Sequence, residues 1–223
     1  MNVKIVILVL LGLAGLGAYM TIFIVDEREI ALKFKFGEVV RVYTQPGLHF
    51  MVPVVNNIKK FDKRLLDLDE PAQSFTTGDQ KQVSVDYFVK WRINQKDRKG
   101  EAQGSNIIRF YRANSGSIYE AKKRLTSVIN DALNTEFQSR TVIDVIWKDR
   151  IAIMKKLVIL ANQKVNGDPS KDDEENYGIE VVDVRIKQIE YNKSVEESIY
   201  TVMIRERGQR ATELRARGNA QAE

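Results

Sequence analysis

The chain has 223 residues and a formal net charge of +5, from 35 basic and 30 acidic side chains, with no cysteine and one histidine, His49. These counts exclude disulfides, thiol catalysis and multi-histidine metal sites, and any Ser-His-Asp triad would have to be built on His49. Basic residues are interleaved with Asp and Glu, so there is no basic stripe to bind nucleic acid, and no phosphate-cradling glycine loop occurs.

Residues Ile5 to Val25 (IVILVLLGLAGLGAYMTIFIV) carry no charge. As a helix the run spans about 31 Å, close to the ~30 Å hydrocarbon core of a bilayer. It is longer than the ~7–15 apolar residues of a signal peptide, and Met20, Thr21, Ile22 and Phe23 follow Ala18 where cleavage residues would stand. The sequence therefore predicts a transmembrane signal anchor over 5–25, preceded by a short flank, 1–4. Lys4 flanks one side and Arg28, Lys33, Lys35 and Arg41 the other. That count taken alone favours the bulk inside, but long domains cross largely regardless of flanking charge.

Residues 26–95 read as a small antiparallel sheet domain. Ile30, Leu32, Phe34 and Phe36 alternate with Ala31, Lys33 and Lys35, predicting a half-buried strand that breaks at Gly37 or Glu38 and resumes over Val39–Tyr43. Pro46 and Gly47 mark a turn. Leu48-His49-Phe50-Met51-Val52-Pro53-Val54-Val55 follows, apolar apart from His49. Two readings stay open for it: core of the sheet, or a patch dipping into lipid headgroups beside the anchor. A strand over Ile58–Leu68 carries Lys59, Lys60, Lys63 and Arg64, either facing anionic lipid or forming a solvated edge. The cleanest strand places Val83, Val85, Tyr87, Val89, Trp91 and Ile93 on one face.

Residues 96–191 change period and read as an α+β unit. Gln95–Gly104 is a charged loop. Ser117 to Glu120 is a capping box that opens a helix through Leu133. Asp149–Val165 predicts a second helix with Ile151, Met154, Leu157, Val158 and Ala161 on its apolar stripe. Asn166–Asn176 is an acidic loop without calcium-loop spacing. Gly178–Tyr191 returns as a strand with Val182, Val184 and Ile186 inward.

Residues 192–223 start a long charged helix, opened by a second capping box, Ser194 to Glu197. Ile199, Val202, Met203 and, further on, Leu214 are its candidate oligomer contacts. A helix so polar needs neighbours, so the chain is expected to continue past 223 or to order this stretch in an assembly.

Three stretches carry a resemblance: 34–39 (FKFGEV) with Pro46-Gly47-Leu48-His49-Phe50 and Pro53; 85–93 (VDYFVKWRI); and 178–189 (GIEVVDVRIKQI) with Ser198-Ile199-Tyr200 and Met203. With the anchor, sheet and charged helix they resemble the SPFH (stomatin/prohibitin/flotillin/HflK/HflC) family, most like its bacterial HflC branch. The resemblance implies an SPFH1 subdomain over 26–95, an SPFH2 subdomain over 96–191 and the start of a coiled-coil-like helix. It also implies a single-pass bacterial inner-membrane protein with its bulk in the periplasm. Such a subunit would alternate with an HflK-like paralogue in a large cage that limits substrate access to the membrane protease FtsH. Its role would be a non-catalytic scaffold with no cofactor, metal or nucleic acid. Leu48, Phe50, Met51, Val52 and Val54 are then the membrane-seating residues, and Pro46, Gly47, His49 and Pro53 a structural turn motif. A stomatin-like organiser of membrane domains or channels is the alternative. A membrane-anchored hydrolase using His49 or the pair Asp67 and Asp69 is a lesser one.

Overall fold

The computed structural model describes residues 21–53, 55–97, 104–148, 150–167, 176–191 and 193–222. The strands are β1 (Ile22–Val25), β2 (Glu29–Lys35), β3 (Glu38–Tyr43), β4 (Gly47–Phe50), β5 (Asn56–Asp62), β6 (Leu66–Thr76), β7 (Gln82–Ile93) and β8 (Ile179–Tyr191). The helices are α1 (Ser105–Ala113), α2 (Ile118–Gln138), α3 (Arg150–Asn166) and α4 (Lys193–Ala222), with a π-helical turn at Asp144–Lys148. Strands pair as β1-β4, β3-β2-β5 and β6-β7-β8. Helices and antiparallel sheets together make the α+β mixture expected.

The chain forms two compact units whose divisions fall inside elements: Met1–Asp67 with Lys90–Leu125 and Asn162–Val182, and Leu68–Val89 with Thr126–Ala161 and Asp183–Glu223. In the first, β2 is central in its sheet, and Ile30, Ala31, Leu32 and Phe34 are buried. Phe34 packs against Tyr111 with tilted rings 4.8 Å apart and Phe61 meets Phe110 edge-on at 5.8 Å, so α1 closes this core. Gly178 lets two backbones meet: a Cβ there would lie 2.3 Å from the Asn106 carbonyl oxygen, and its φ of 64° already favours glycine.

In the second unit Val83, Val85, Tyr87 and Val89 are fully buried, and β7 alternates along its length as its sequence predicts. Phe75 packs edge-on against Phe137 at 5.6 Å. The Tyr87 hydroxyl donates to Asn130 Oδ1 at 2.7 Å, and burial pushes the phenol's pKa up. Glu136 is buried where α2 ends and bonds both Arg140 and Lys156. Burial pushes this carboxyl up, but the hydrogen bonds from Lys156 and Arg140 outweigh it and hold the pKa below its ordinary value.

Several expectations are corrected. Ile22–Val25 are a strand, not the last turn of a membrane helix, because β-branched Ile and Val pair in register with Gly47–Phe50. Of the rest of the expected anchor, 5–20 lies with the flank 1–4 outside the described residues, and among those described no helix is long and apolar enough to cross a membrane. Phe36 is not a core residue of β2: it sits at the hairpin tip with φ 52° and is 82% exposed. The strand expected over 58–68 divides at Lys63–Leu65, where the Asp62 carboxylate accepts from the Arg64 backbone and guanidinium. That partner lowers the Asp62 pKa.

Helix α1 had no counterpart in the sequence reading. Its Gly104 N-cap has no side chain to give, and Asp97 caps it from outside, accepting from Gly104 N at 2.6 Å and Asn106 N at 3.2 Å. By contrast Ser117 Oγ accepts from Glu120 N at 3.4 Å, so that cap forms where expected. In α3 the buried stripe is Ile153, Leu157, Ala161 and Val165, at i, i+4 spacing, while Ile151 is exposed. In β8, Ile179, Val181, Val184 and Ile186 are buried and Val182 is exposed, because the alternation changes phase between Val181 and Val184.

Candidate functional site

The segment with the most unexplained chemistry is the two-stranded ribbon β1-β4. Its register pairs Ile22 with Phe50, Phe23 with His49, Ile24 with Leu48 and Val25 with Gly47. Met51 N donates to Thr21 O at 2.7 Å and extends the ladder by one bond. Because side chains alternate across a strand, these pairs sort onto two faces.

One face is packed. Val25 is buried, and Phe23, Tyr43 and His49 form an aromatic cluster with centroids 4.4–5.6 Å apart. His49 Nε2 lies 3.3 Å from Gln45 O, as a donor in the matching tautomer. His49 therefore packs and ties its own turn, and no serine or carboxylate is bonded to it among the described residues. Gly47 opens β4 with φ 143°, a conformation that favours glycine, after Pro46.

The other face is bare. Ile22, Ile24 (62% exposed), Leu48 (65%) and Phe50 (70%) stand side by side, and Val52 continues the exposure. Of the two readings of 48–55, the core one fails for Leu48, Phe50 and Val52. Met51 and Pro53 are half-buried. Val54 lies outside the described residues. Four large aliphatic or aromatic side chains on one small ribbon form a contiguous apolar patch, which soluble surfaces rarely leave uncovered. Ile22 and Ile24 belong to this patch and were absorbed into the anchor by the sequence reading. Their signal was present, since 22–25 (IFIV) is β-branched at three of four positions, but the unbroken uncharged run masked it.

Of the basic residues of 58–68, Lys59, Lys60 and Arg64 are engaged, whereas Lys63, which with Arg64 follows the end of β5, makes no ion pair among the described residues. Lys60 pairs with Glu29 at 2.8 Å, Arg64 with Asp62 at 2.7 Å, and Lys59 lies over the rings of Phe61 and Tyr111. The carboxylates of the hydrolase alternative are also occupied: Asp67 pairs with Lys90, and Asp69 with Lys187 at 2.5 Å. Lys187 also meets Asp86 at 3.2 Å, and the Asp69 hydrogen bond raises its pKa. Among the described residues no group of three acidic or histidine side chains is placed to hold a metal ion.

Helix α4 runs 30 residues with its described side chains almost all exposed, among them Tyr200, Ile204 and Leu214. The side chains of Ile199, Val202 and Met203 lie outside the described set. The helix turns on short-range pairs such as Arg217–Glu213 at 2.8 Å.

The sequence that builds this geometry resembles known proteins. Residues 23–220 match the model of the SPFH domain / Band 7 family. The chain is 35% identical to Protein HflC of Haemophilus influenzae over 211 residues, covering 92% of the chain and 66% of that relative. It is 34% identical to Protein HflC of Buchnera aphidicola, covering 90% and 66%. It is 30% identical to a protein of Escherichia coli named Modulator of FtsH protease HflC, covering 99% and 72%. The chain thus spans a little under two thirds of the length of the first two relatives. With a family model covering nearly all of the sequence, the chain belongs to the SPFH domain / Band 7 family.

Proposed function

We propose that this chain is a non-catalytic, membrane-seated scaffold subunit of the HflC type. It assembles with an HflK-like paralogue into a cage and restricts the access of substrates to an FtsH-type protease. The observation that carries the membrane part is the bare face of the β1-β4 ribbon, Ile22, Ile24, Leu48 and Phe50. With 22–25 in a strand, the uncharged run left for a span is Ile5–Thr21, 17 residues, or about 26 Å if helical. That falls a few ångströms short of the ~30 Å hydrocarbon core. The ribbon begins one residue after this run, so its patch lies within a few ångströms of the span's end. Seating the patch in the lipid interface covers it and makes up the shortfall, with Met51, Val52 and Val54 continuing the contact.

The bulk of the chain lies in the periplasm in this reading. The linear SPFH1 (26–95) and SPFH2 (96–191) subdomains are its wall elements. Helix α4, too polar to hold a core of its own, gains burial from adjacent subunits through Ile199, Val202, Met203 and Leu214. The residues of the hydrolase alternative are otherwise engaged: in the ribbon His49 is packed among aromatics, and on β6 Asp67 and Asp69 are each bound by a lysine.

Gentle detergent extraction followed by mass determination and identification of co-purifying chains tests this. A large hetero-oligomer holding an HflK-like chain and an FtsH-type protease supports it. A monomer without companions contradicts it, and a homo-oligomer alone points to the stomatin-like organiser instead.

A further inference from the structure

Beside the ribbon lies an open groove of about 500 Å³ lined by Val40, Arg41, Tyr43, Thr44, Gln45 and His49. It contains no carboxylate. Among the described residues Arg41 makes no ion pair, and the hydroxyls of Tyr43 and Thr44 make no hydrogen bond. A second cleft, of about 270 Å³, shows the contrast. Its cations Lys60 and Arg64 are paired with Glu29 and Asp62, and its third cation, Arg28, shares a lining with the three carboxylates Asp26, Glu29 and Asp62. One groove thus presents a guanidinium with hydroxyl donors and no carboxylate in its lining, while the other balances three cations with three carboxylates. Arginine's planar fork matches the oxygens of a phosphate.

The height of Arg41 says which phosphate. Arg41 is the register partner of Lys33, and Lys33 Nζ donates to Phe50 O at 3.4 Å. Phe50 pairs with Ile22, the ribbon residue nearest the apolar amino-terminal run. Arg41 is therefore level with the ribbon end that meets that run. After the turn in which Glu29 N bonds Asp26 O at 3.1 Å, β2 runs back past this level, and the tip of its hairpin carries the exposed Phe36 about 10 Å further on. An aromatic tip, an arginine one headgroup layer behind it and a tyrosine beside that arginine follow the usual order of side chains at a membrane–water interface.

We propose that the Arg41 groove binds the phosphodiester of a phospholipid headgroup, with Tyr43 and Thr44 as further donors. This rests on the membrane-seating reading above. The test uses the full chain in mild detergent, titrated with phosphatidylglycerol and followed by native mass spectrometry. Parallel titrations use diacylglycerol, which lacks the phosphate, and inorganic phosphate, which lacks the chains. Arg41→Gln should weaken phosphatidylglycerol binding about tenfold, the loss of one charge-assisted pair, and bring it to the level of diacylglycerol. Arg41→Lys should recover part of it, and Lys60→Gln, in the neutralised cleft, should leave it unchanged. Equal binding by the wild type and Arg41→Gln overturns the proposal. So does inorganic phosphate that binds alone with the same dependence on Arg41 and displaces the lipid. Intact assembly without Arg41 dependence sinks this inference only, and lost assembly with the dependence intact sinks only the cage.

Discussion

Strand β7 and the β1-β4 ribbon share one sequence device and put it to opposite uses. Both alternate apolar residues along one face. In β7 every inward side chain from Val83 to Ile93 is buried under protein, and in the ribbon Ile22, Ile24, Leu48 and Phe50 are left bare. Period-two patterning says which side chains share a face; it does not say what covers that face. Where the chain itself supplies the cover, the face is core. Where it does not, the face is left exposed, and here the neighbouring sequence is an apolar run of membrane-spanning composition.

The comparison can be broken at either end. The largest effect is expected at Trp91, fully buried on β7: Trp91→Ala should lower unfolding stability by about 3–5 kcal/mol in chemical denaturation. Next, Phe50→Asp should leave folding stability within about 0.5 kcal/mol, since the side chain is already exposed, yet cost about 2–3 kcal/mol of lipid contact. A denaturation midpoint that fell as far as that of Trp91→Ala would show the ribbon face to be core.

A third prediction concerns the buried carboxylate. Glu136 has a folded pKa below its ordinary 4.5, so its contribution is complete above the unfolded value and is lost as pH falls through the folded one. Glu136→Gln should therefore flatten the acid limb of the stability curve and cost about 1–3 kcal/mol near neutrality, because the amide is uncharged and offers Arg140 and Lys156 one acceptor oxygen in place of two. Unchanged acid sensitivity would exclude this pair of bonds as its source. The smallest effect belongs to α4: Arg217→Ala breaks an exposed i, i+4 pair and should change stability by no more than about 0.5 kcal/mol in the same denaturation assay.

The sequence was most legible where local signals and tertiary packing agree. β7 and the Ser117 cap needed only alternation and one hydroxyl. Helix α1 was hidden because its cap comes from Asp97, seven residues before Gly104. On α3 nearly every turn carries aliphatic residues, so Ile151 and Ile153 looked alike, and only packing chose Ile153. Phe36 fitted the alternation of β2, and the hairpin turn removed it from the face. Of the candidate site, Leu48, Phe50 and Val52 were legible as an apolar segment of the sheet domain that follows the uncharged amino-terminal run. Ile22 and Ile24 were not, because a strand and a membrane helix are both written in Ile, Phe and Val, and only the pairing partner distinguishes them.

The most direct test of the account is the environment of position 50. The chain has no cysteine, so Phe50→Cys in the full-length protein can carry a single spin label in reconstituted bilayers. The account predicts strong broadening by oxygen and weak broadening by a water-soluble nickel reagent, with the reverse for a label at Ser84 on β7. Equal access of the nickel reagent to both positions would show the ribbon face to be in water and would contradict it.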